Sequence, residues 1–177
     1  MKLLQRLFFV LLLSLPTSLF AQGVLSFEDV MKLEDITSSA ISSKGNWIMY
    51  SVAPDRGDGQ VVAQSINGST SYTLSTASRP MISSNEQWVA ARRDVALAVQ
   101  LKDPKKAPEA GLYLLSLGDG SVVEYDSVSS YEFSNDGKWL AFRELQTEKV
   151  QNLKSKNRLL GTPLHLKDLS SGDVHTL

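Results

Sequence analysis

The 177-residue sequence contains no cysteine and only two histidines. Without cysteine there can be no disulfide, no thiolate zinc site and no cysteine-linked lipid, so burial alone must stabilise the fold. No phosphate-binding glycine loop and no His/Cys cluster is present either. We therefore expect no catalytic, metal-binding or cofactor-binding residue in this chain, and no cofactor.

An excess of charge of one sign is also missing. The chain has 18 basic and 19 acidic residues, a formal net charge of −1 and a pI near 6.1. Such a balance creates no field that would attract nucleic acid or an anionic membrane, so we expect neither as a partner. The hydrophobic fraction of 42% is that of a globular protein with one ordinary core.

The amino terminus departs from this average composition. Lys2 and Arg6 precede an apolar stretch from residue 7 to 15, and Pro16 follows it. This stretch is far shorter than the ~20 residues of a membrane-spanning helix. The pattern predicts a signal peptide over residues 1–21 with cleavage between Ala21 and Gln22. We expect the protein to be exported, periplasmic or secreted, and free of the membrane after cleavage.

All three tryptophans lie in the same sequence phrase. The segments 41–50, 82–91 and 133–142 read Ile-Ser-Ser-Lys-Gly-Asn-Trp, Ile-Ser-Ser-Asn-Glu-Gln-Trp and Phe-Ser-Asn-Asp-Gly-Lys-Trp before each apolar run. A serine lies five residues before each tryptophan, and these repeated positions are Ser42, Ser83 and Ser134 with Trp47, Trp88 and Trp139. The tryptophans are 41 and 51 residues apart, and self-similarity at such intervals is typical of repeat architectures.

Each repeat unit contains four short segments with strand character. A strand begins at the tryptophan, a polar–apolar alternation with a hairpin turn follows, and a further strand (79–83 or 130–134) leads into the next unit. Four strands in 40 to 50 residues are typical of a β-propeller blade. We predict an all-β, incomplete β-propeller over 41–177, with two four-stranded blades and part of a third. A short helix within 26–36 and a lead-in occupy residues 22–40.

The tryptophans have a structural interpretation in this fold. Blades stack face to face, and a large flat side chain at one repeated place fills the wedge between neighbours, burying ~150 to 250 Å². We therefore interpret the three indoles as packing residues and not as a ligand cage. Leu177 ends a hairpin, so we expect the last unit to lack a strand and the incomplete ring to expose strand edges.

Other candidate residues have simpler interpretations. His165, with Asp168 three residues later, and His175 lie in predicted strands, where an ordinary structural role is expected over a general base. The segment 55–59, Asp-Arg-Gly-Asp-Gly, does not have the spacing of a calcium loop and is expected to be a turn. The glycosylation pattern that begins at Asn67 coincides with an Asn-Gly hairpin turn.

The propeller repeat resembles that of the Tol-system periplasmic propeller and of the prolyl oligopeptidase family of serine peptidases. The segment 25–62 is similar to the start of the mature chain of large secreted bacterial members of the peptidase family, and the resemblance covers Leu25 to Leu177. It implies a propeller that caps a separate α/β-hydrolase domain and filters peptides by size. The hydrolase nucleophile cannot be placed here, because no Gly-x-Ser-x-Gly motif is present.

Two functions therefore remain open from the sequence. The first is the amino-terminal part of an exported serine peptidase, inactive alone, whose propeller gates peptide access to a hydrolase domain absent from this chain. The second is a non-catalytic periplasmic propeller that binds protein partners. A peptide substrate is expected only under the first, and the sequence leaves the oligomeric state open.

Overall fold

The computed structural model describes residues 25–145 and 162–177. In these residues, twelve strands form three four-stranded antiparallel sheets. The first sheet consists of β1 (Glu34–Ile41), β2 (Trp47–Pro54), β3 (Gln60–Ser65) and β4 (Ser71–Ser75). The second consists of β5 (Ala77–Ile82), β6 (Trp88–Arg93), β7 (Gly111–Ser116) and β8 (Val122–Tyr125). The third consists of β9 (Val128–Phe133), β10 (Trp139–Glu144), β11 (Leu164–Asp168) and β12 (Val174–Thr176).

Each sheet is a meander in which strands adjacent in sequence pair with each other. Within the described ranges, two short helices accompany the strands, α1 (Phe27–Met31) and α2 (Leu97–Lys102). All three sheets lie in one compact unit, Met31–Leu177. At the start of α1, the Ser26 hydroxyl accepts the Asp29 backbone N–H, while the Asp29 carboxylate accepts the Ser26 N–H at 3.0 Å. This reciprocal pair is a capping box.

The links between successive sheets are short and share one feature. Each contains a residue with positive φ, namely Thr76 (52°) after the first sheet and Ser127 (53°) after the second. The first residue of the following strand, Ala77 or Val128, donates its backbone N–H to a loop of the preceding sheet. A left-handed conformation costs a non-glycine residue roughly 1–2 kcal/mol. Its recurrence at both links indicates that the crossover geometry is part of the repeat.

Two hydrophobic cores lie between successive sheets. Strand β6 shows how the sequence produces them, because its side chains alternate between the two faces of the second sheet. Val89 and Ala91 belong to the first core, which includes Met49 and Leu74 from the first sheet. Ala90 lies on the opposite face and belongs to the second core. The third sheet contributes four buried side chains to this core, namely Val128, Leu140, Phe142 and Leu169. The continuous apolar run of β6 follows from burial on both faces.

The predicted all-β, propeller-type fold is confirmed, with two corrections to its parts. The third sheet has four strands, because the segments near 79–83 and 130–134 open a sheet and do not close the preceding one. Met81 pairs with Ala90 in β6, and Tyr131 pairs with Phe142 in β10. Pairing between strands decides to which sheet a strand belongs, and the apolar periodicity of a single strand does not reveal it.

The second correction concerns the lead-in. The helix ends at Met31, and β1 begins at Glu34, inside the range 22–40 that was predicted as helix and lead-in. The sequence of β1, Glu-Asp-Ile-Thr-Ser-Ser-Ala-Ile, has no regular apolar alternation that would reveal a strand. The predicted signal peptide, with Ala21 and Gln22, lies outside the described residues. Neither helix of the described ranges is long and apolar enough to cross a membrane.

Candidate functional site

The serine and tryptophan of each repeat form the same hydrogen-bonded turn. The side-chain oxygens of Ser42, Ser83 and Ser134 each accept the backbone N–H of the tryptophan five residues later, at 3.0 Å. Each serine backbone N–H in turn donates to that tryptophan's carbonyl at 2.9 Å. The turn therefore aligns the entry of the second strand in all three sheets. Its serines and tryptophans serve local structure, and no chemistry is evident among them.

The fourth residue of this turn has a positive φ in every sheet. Glycine meets this requirement at Gly45 (φ 76°) and Gly137 (φ 69°), whereas Glu86 adopts φ 62° in the second sheet. The Glu86 carboxylate accepts the Lys44 backbone N–H and the Asn46 side-chain N–H, each at 2.7 Å. We call these two hydrogen bonds, which join the turns of the first and second sheets, the Glu86 clamp.

The Glu86 clamp gives the first turn hydrogen bonds in place of a side-chain contact that only the second and third turns make. In the second and third turns, the serine hydroxyl donates to Asn85 or Asp136 two residues later. Lysine occupies this position in the first turn, so no acceptor is available there. Burial raises the pKa of Glu86, but hydrogen bonds from Ser42, Asn46 and the Lys44 backbone outweigh it and lower the pKa below its usual value.

The three indole rings are half-buried at the borders of the cores. Trp47 packs against the first core and stacks on Tyr72 of β4, with ring centroids 6.1 Å apart. Trp88 packs against the second core. Trp139 lies 6.2 Å from the ring of His175 in β12. Pairing registers put Tyr72 and His175 at equivalent places in their sheets, so His175 is the partner of a repeat tryptophan.

His165 joins two strands of the third sheet. Its Nε2 lies 2.9 Å from a carboxylate oxygen of Glu144, and its Nδ1 lies 2.9 Å from the Thr176 hydroxyl. Its ring stacks on Phe142 at 4.9 Å. Asp168, the residue that the sequence placed near His165, instead accepts hydrogen bonds from Ser170 in the hairpin turn. The structure thus does not bring these two residues together as an acid–base pair.

A cavity of about 500 Å³ lies between the first and second sheets. One wall is the turn after β2, which includes Gly57, Asp58 and Gly59, and the opposite wall is the segment 94–110 that contains α2. The Asp58 carboxylate accepts the backbone N–H of Leu97 at 2.7 Å and so ties the two walls together. The turn predicted at 55–59 is therefore a wall of a cavity.

Charged side chains occupy the floor of the cavity. Arg92 Nε lies 2.9 Å from the Asp94 carboxylate, although its N–H is not directed into a hydrogen bond. Close by, the Tyr131 hydroxyl of the third sheet donates to the Arg79 carbonyl. Burial raises the pKa of Tyr131 to about 12, because it outweighs the opposing effect of the neighbouring arginines.

Sequence reasoning did not identify this cavity. Its signals are present in the sequence, since Arg92, Arg93 and Asp94 end a buried strand and a proline-containing segment follows. Only the pairing of the sheets shows that the turn at 55–59 faces this segment. Among the described residues, no group of His, Cys, Asp and Glu is arranged to hold a metal ion.

The turn at Asn67 has Gly68 at φ 72°, and the Asn67 carboxamide oxygen accepts the Ser69 N–H at 3.0 Å.

Solved structures with a similar fold are propeller-containing peptidases. The β-propeller domain of the Trilobed protease from Pyrococcus furiosus superposes with a TM-score of 0.57 at 15% identity, covering 83% of this chain and 43% of that chain. The acylaminoacyl peptidase of Pyrococcus horikoshii gives a TM-score of 0.54 at 13% identity, covering 84% of this chain and 26% of the other. A prolyl endopeptidase gives 0.55 at 12% identity, with coverages of 81% and 22%.

These neighbours belong to the prolyl oligopeptidase family of peptidases, and the matched regions are their β-propeller domains. The chain accordingly has the fold of these propeller domains, and the likeness at such identities defines the fold alone. It spans less than half of the length of each of these neighbours. No protein-family profile matches the sequence, and no curated protein is similar to it.

Proposed function

We propose that this chain is the amino-terminal part of an exported serine peptidase of the prolyl oligopeptidase family. Its sheets belong to a propeller that limits the access of peptides to a hydrolase domain carried elsewhere in the protein. Two findings support the proposal: the propeller fold shared with peptidases of this family and the Ser-x-x-x-x-Trp repeat. The amino-terminal pattern over residues 1–21 supports export.

The observation that carries the proposal is the exposure of the two outermost sheet faces. Pairing registers make Ile36, Ala77 and Val128 equivalent at the start of each sheet. Ala77 (1% exposed) and Val128 (4%) are buried against the preceding sheet, whereas Ile36 is 67% exposed. An isoleucine at a position that is otherwise buried indicates a surface built to be covered.

The outer face of the third sheet shows the same contrast. Ala63 and Leu114 are buried beneath the next sheet, and their equivalent Leu166 is only half-buried. Leu177, at the position equivalent to Leu74, is 74% exposed. Since the same register positions form both internal cores, we propose that further four-stranded sheets of the same repeat cover both faces. A propeller needs about four to eight blades, which agrees with this proposal.

Isolation of the whole protein from its native cells provides the test. We expect its amino terminus to begin at Gln22, and we expect a fluorophosphonate probe to label a serine outside residues 22–177. Chromogenic peptides should be hydrolysed by the whole protein and not by residues 22–177 alone. A mature protein that contains only propeller sheets and is not labelled by the probe would refute the peptidase assignment and favour the non-catalytic, partner-binding propeller.

A further inference from the structure

The cavity between the turn after β2 and the segment 94–110 is not lined by the serine–tryptophan turns of the repeat. Its volume of about 500 Å³ lies in the range of small-ligand sites, roughly 300–1,000 Å³. Its walls come from two sheets and are tied by the hydrogen bond between Asp58 and the Leu97 N–H. The cavity is therefore formed by the fold itself and requires no ligand to organise it.

The wall formed by the segment 94–110 contributes apolar side chains to a cavity whose lining is otherwise mostly polar. Side chains of alanine, valine, leucine and proline line it, namely Val95, Leu97, Pro104, Ala107, Pro108 and Ala110. A surface of this kind suits the aliphatic stem of a lysine or arginine, which buries its methylene groups and keeps its charged end near polar partners.

The charge of the cavity favours a cation at its polar end. Two carboxylates, Asp58 and Asp94, and a single cation, Arg92, line it, so the formal charge of the lining is −1. One Asp94 oxygen lies beside Arg92 Nε, and one Asp58 oxygen accepts the Leu97 N–H. For each carboxylate, no hydrogen bond from a described residue reaches the second oxygen.

From this arrangement we propose that the cavity binds the cationic side chain of a lysine or arginine in a peptide. The aliphatic stem lies along the apolar wall, and the charged end interacts with the carboxylates of Asp58 and Asp94. This inference rests on the proposed peptidase function, because it assigns a preference for basic residues to the peptides that reach the propeller. A free amino terminus is not required, since the side chain supplies the positive charge.

Binding of blocked peptides to the whole protein, after treatment with the fluorophosphonate probe to prevent their hydrolysis, tests the proposal. Fluorescence anisotropy compares N-acetylated, C-amidated peptides that differ only in lysine, norleucine or glutamate at one position. We expect the lysine peptide to bind about fivefold more tightly than the norleucine peptide, as for a partly exposed ion pair. Asp58→Asn should abolish this difference and retain the acceptor for Leu97. Asp55→Asn, in the same turn but outside the cavity lining, should leave the difference intact.

Arg92→Gln provides a second variant with the opposite expectation. It removes the only cation of the lining and should strengthen the lysine preference, which a folding defect would not do. Equal binding of the lysine and norleucine peptides, tighter binding of the glutamate peptide, or equal effects of Asp55→Asn and Asp58→Asn would overturn the proposal.

These binding measurements, together with the hydrolysis assay described for the proposed function, separate the two proposals. Hydrolysis of peptides together with equal binding of the lysine and norleucine peptides would remove the cavity proposal and leave the peptidase in place. Lysine-selective binding that depends on Asp58, without hydrolysis of any peptide, would remove the peptidase and leave the cavity in place.

Discussion

Replacing Glu86 with alanine removes both hydrogen bonds of the Glu86 clamp while keeping the backbone conformation strained. Hydrogen bonds to a charged acceptor contribute about 1.5–3 kcal/mol where water is excluded. Solvent reaches this carboxylate, so about 0.5–1 kcal/mol for each bond is the appropriate scale. We therefore expect Glu86→Ala to reduce the stability of the contact between the first two turns by about 1–2 kcal/mol.

Glycine at the same position provides the matched comparison. Glu86→Gly also removes the clamp, but it releases the strain of a non-glycine residue at φ 62°, which is about 1 kcal/mol. Its net effect should consequently be about 1 kcal/mol smaller than that of Glu86→Ala. The alanine and glycine variants thus separate the clamp from the backbone strain.

Amide hydrogen exchange in the segments 42–50 and 83–92 measures these effects locally, whatever the stability of the remaining protein. Exchange at the Lys44 amide should accelerate roughly tenfold in Glu86→Ala, since 1.4 kcal/mol corresponds to a factor of ten. A double-mutant cycle with Asn46→Ala should show coupling, because Asn46 donates to the same carboxylate. Unchanged exchange in Glu86→Ala, or strict additivity with Asn46→Ala, would refute the assignment of the clamp.

The pH dependence of the clamp follows from the lowered pKa of Glu86. A carboxyl group whose pKa is lower in the folded state contributes stability above its unfolded value of about 4.3. That contribution is lost as the pH falls through the folded value. Protection of the Lys44 amide should accordingly be constant near neutral pH and decline in acid, and Glu86→Gln should remove this decline.

Three further predictions concern other parts of the repeat. Ser83→Ala should cost about 1–3 kcal/mol, and Ser134→Ala should cost less because Ser134 is less buried, as measured by local hydrogen exchange. Leu114→Ala should destabilise the fold by about 2–5 kcal/mol in urea unfolding. Leu166→Ala should approach this cost only in the whole protein, where a further sheet would cover Leu166. A small cost of Leu166→Ala in the whole protein would contradict the proposed coverage. Ultraviolet titration should find that Tyr131 ionises near pH 12. The neutral hydroxyl then contributes fully to stability below about pH 10, and this contribution is lost as the pH rises toward 12. Ionisation of Tyr131 near pH 10 would contradict its burial.

Local sequence patterns predicted the propeller repeat because the turn and the strand entry depend on neighbouring residues. The serine five residues before each tryptophan and the glycine or polar residues between them act within a single turn. The same locality explains why the hairpin turns could be predicted. By contrast, β1 was hidden in the lead-in, since its residues do not alternate regularly between apolar and polar.

The sequence by itself thus determined the repeat turns, the strands that follow them and the period of the repeat, all of which depend on contacts within a few residues. Only the tertiary structure decided which strands share a sheet, because pairing joins β5 to β6 and not to β4. It also decided that Glu86 reaches the turn of another sheet and that Asp58, Arg92 and Asp94 line one cavity. Glu86 and Asp58 each lie tens of positions from the residues that they meet, and only the packing of sheet on sheet brings them together.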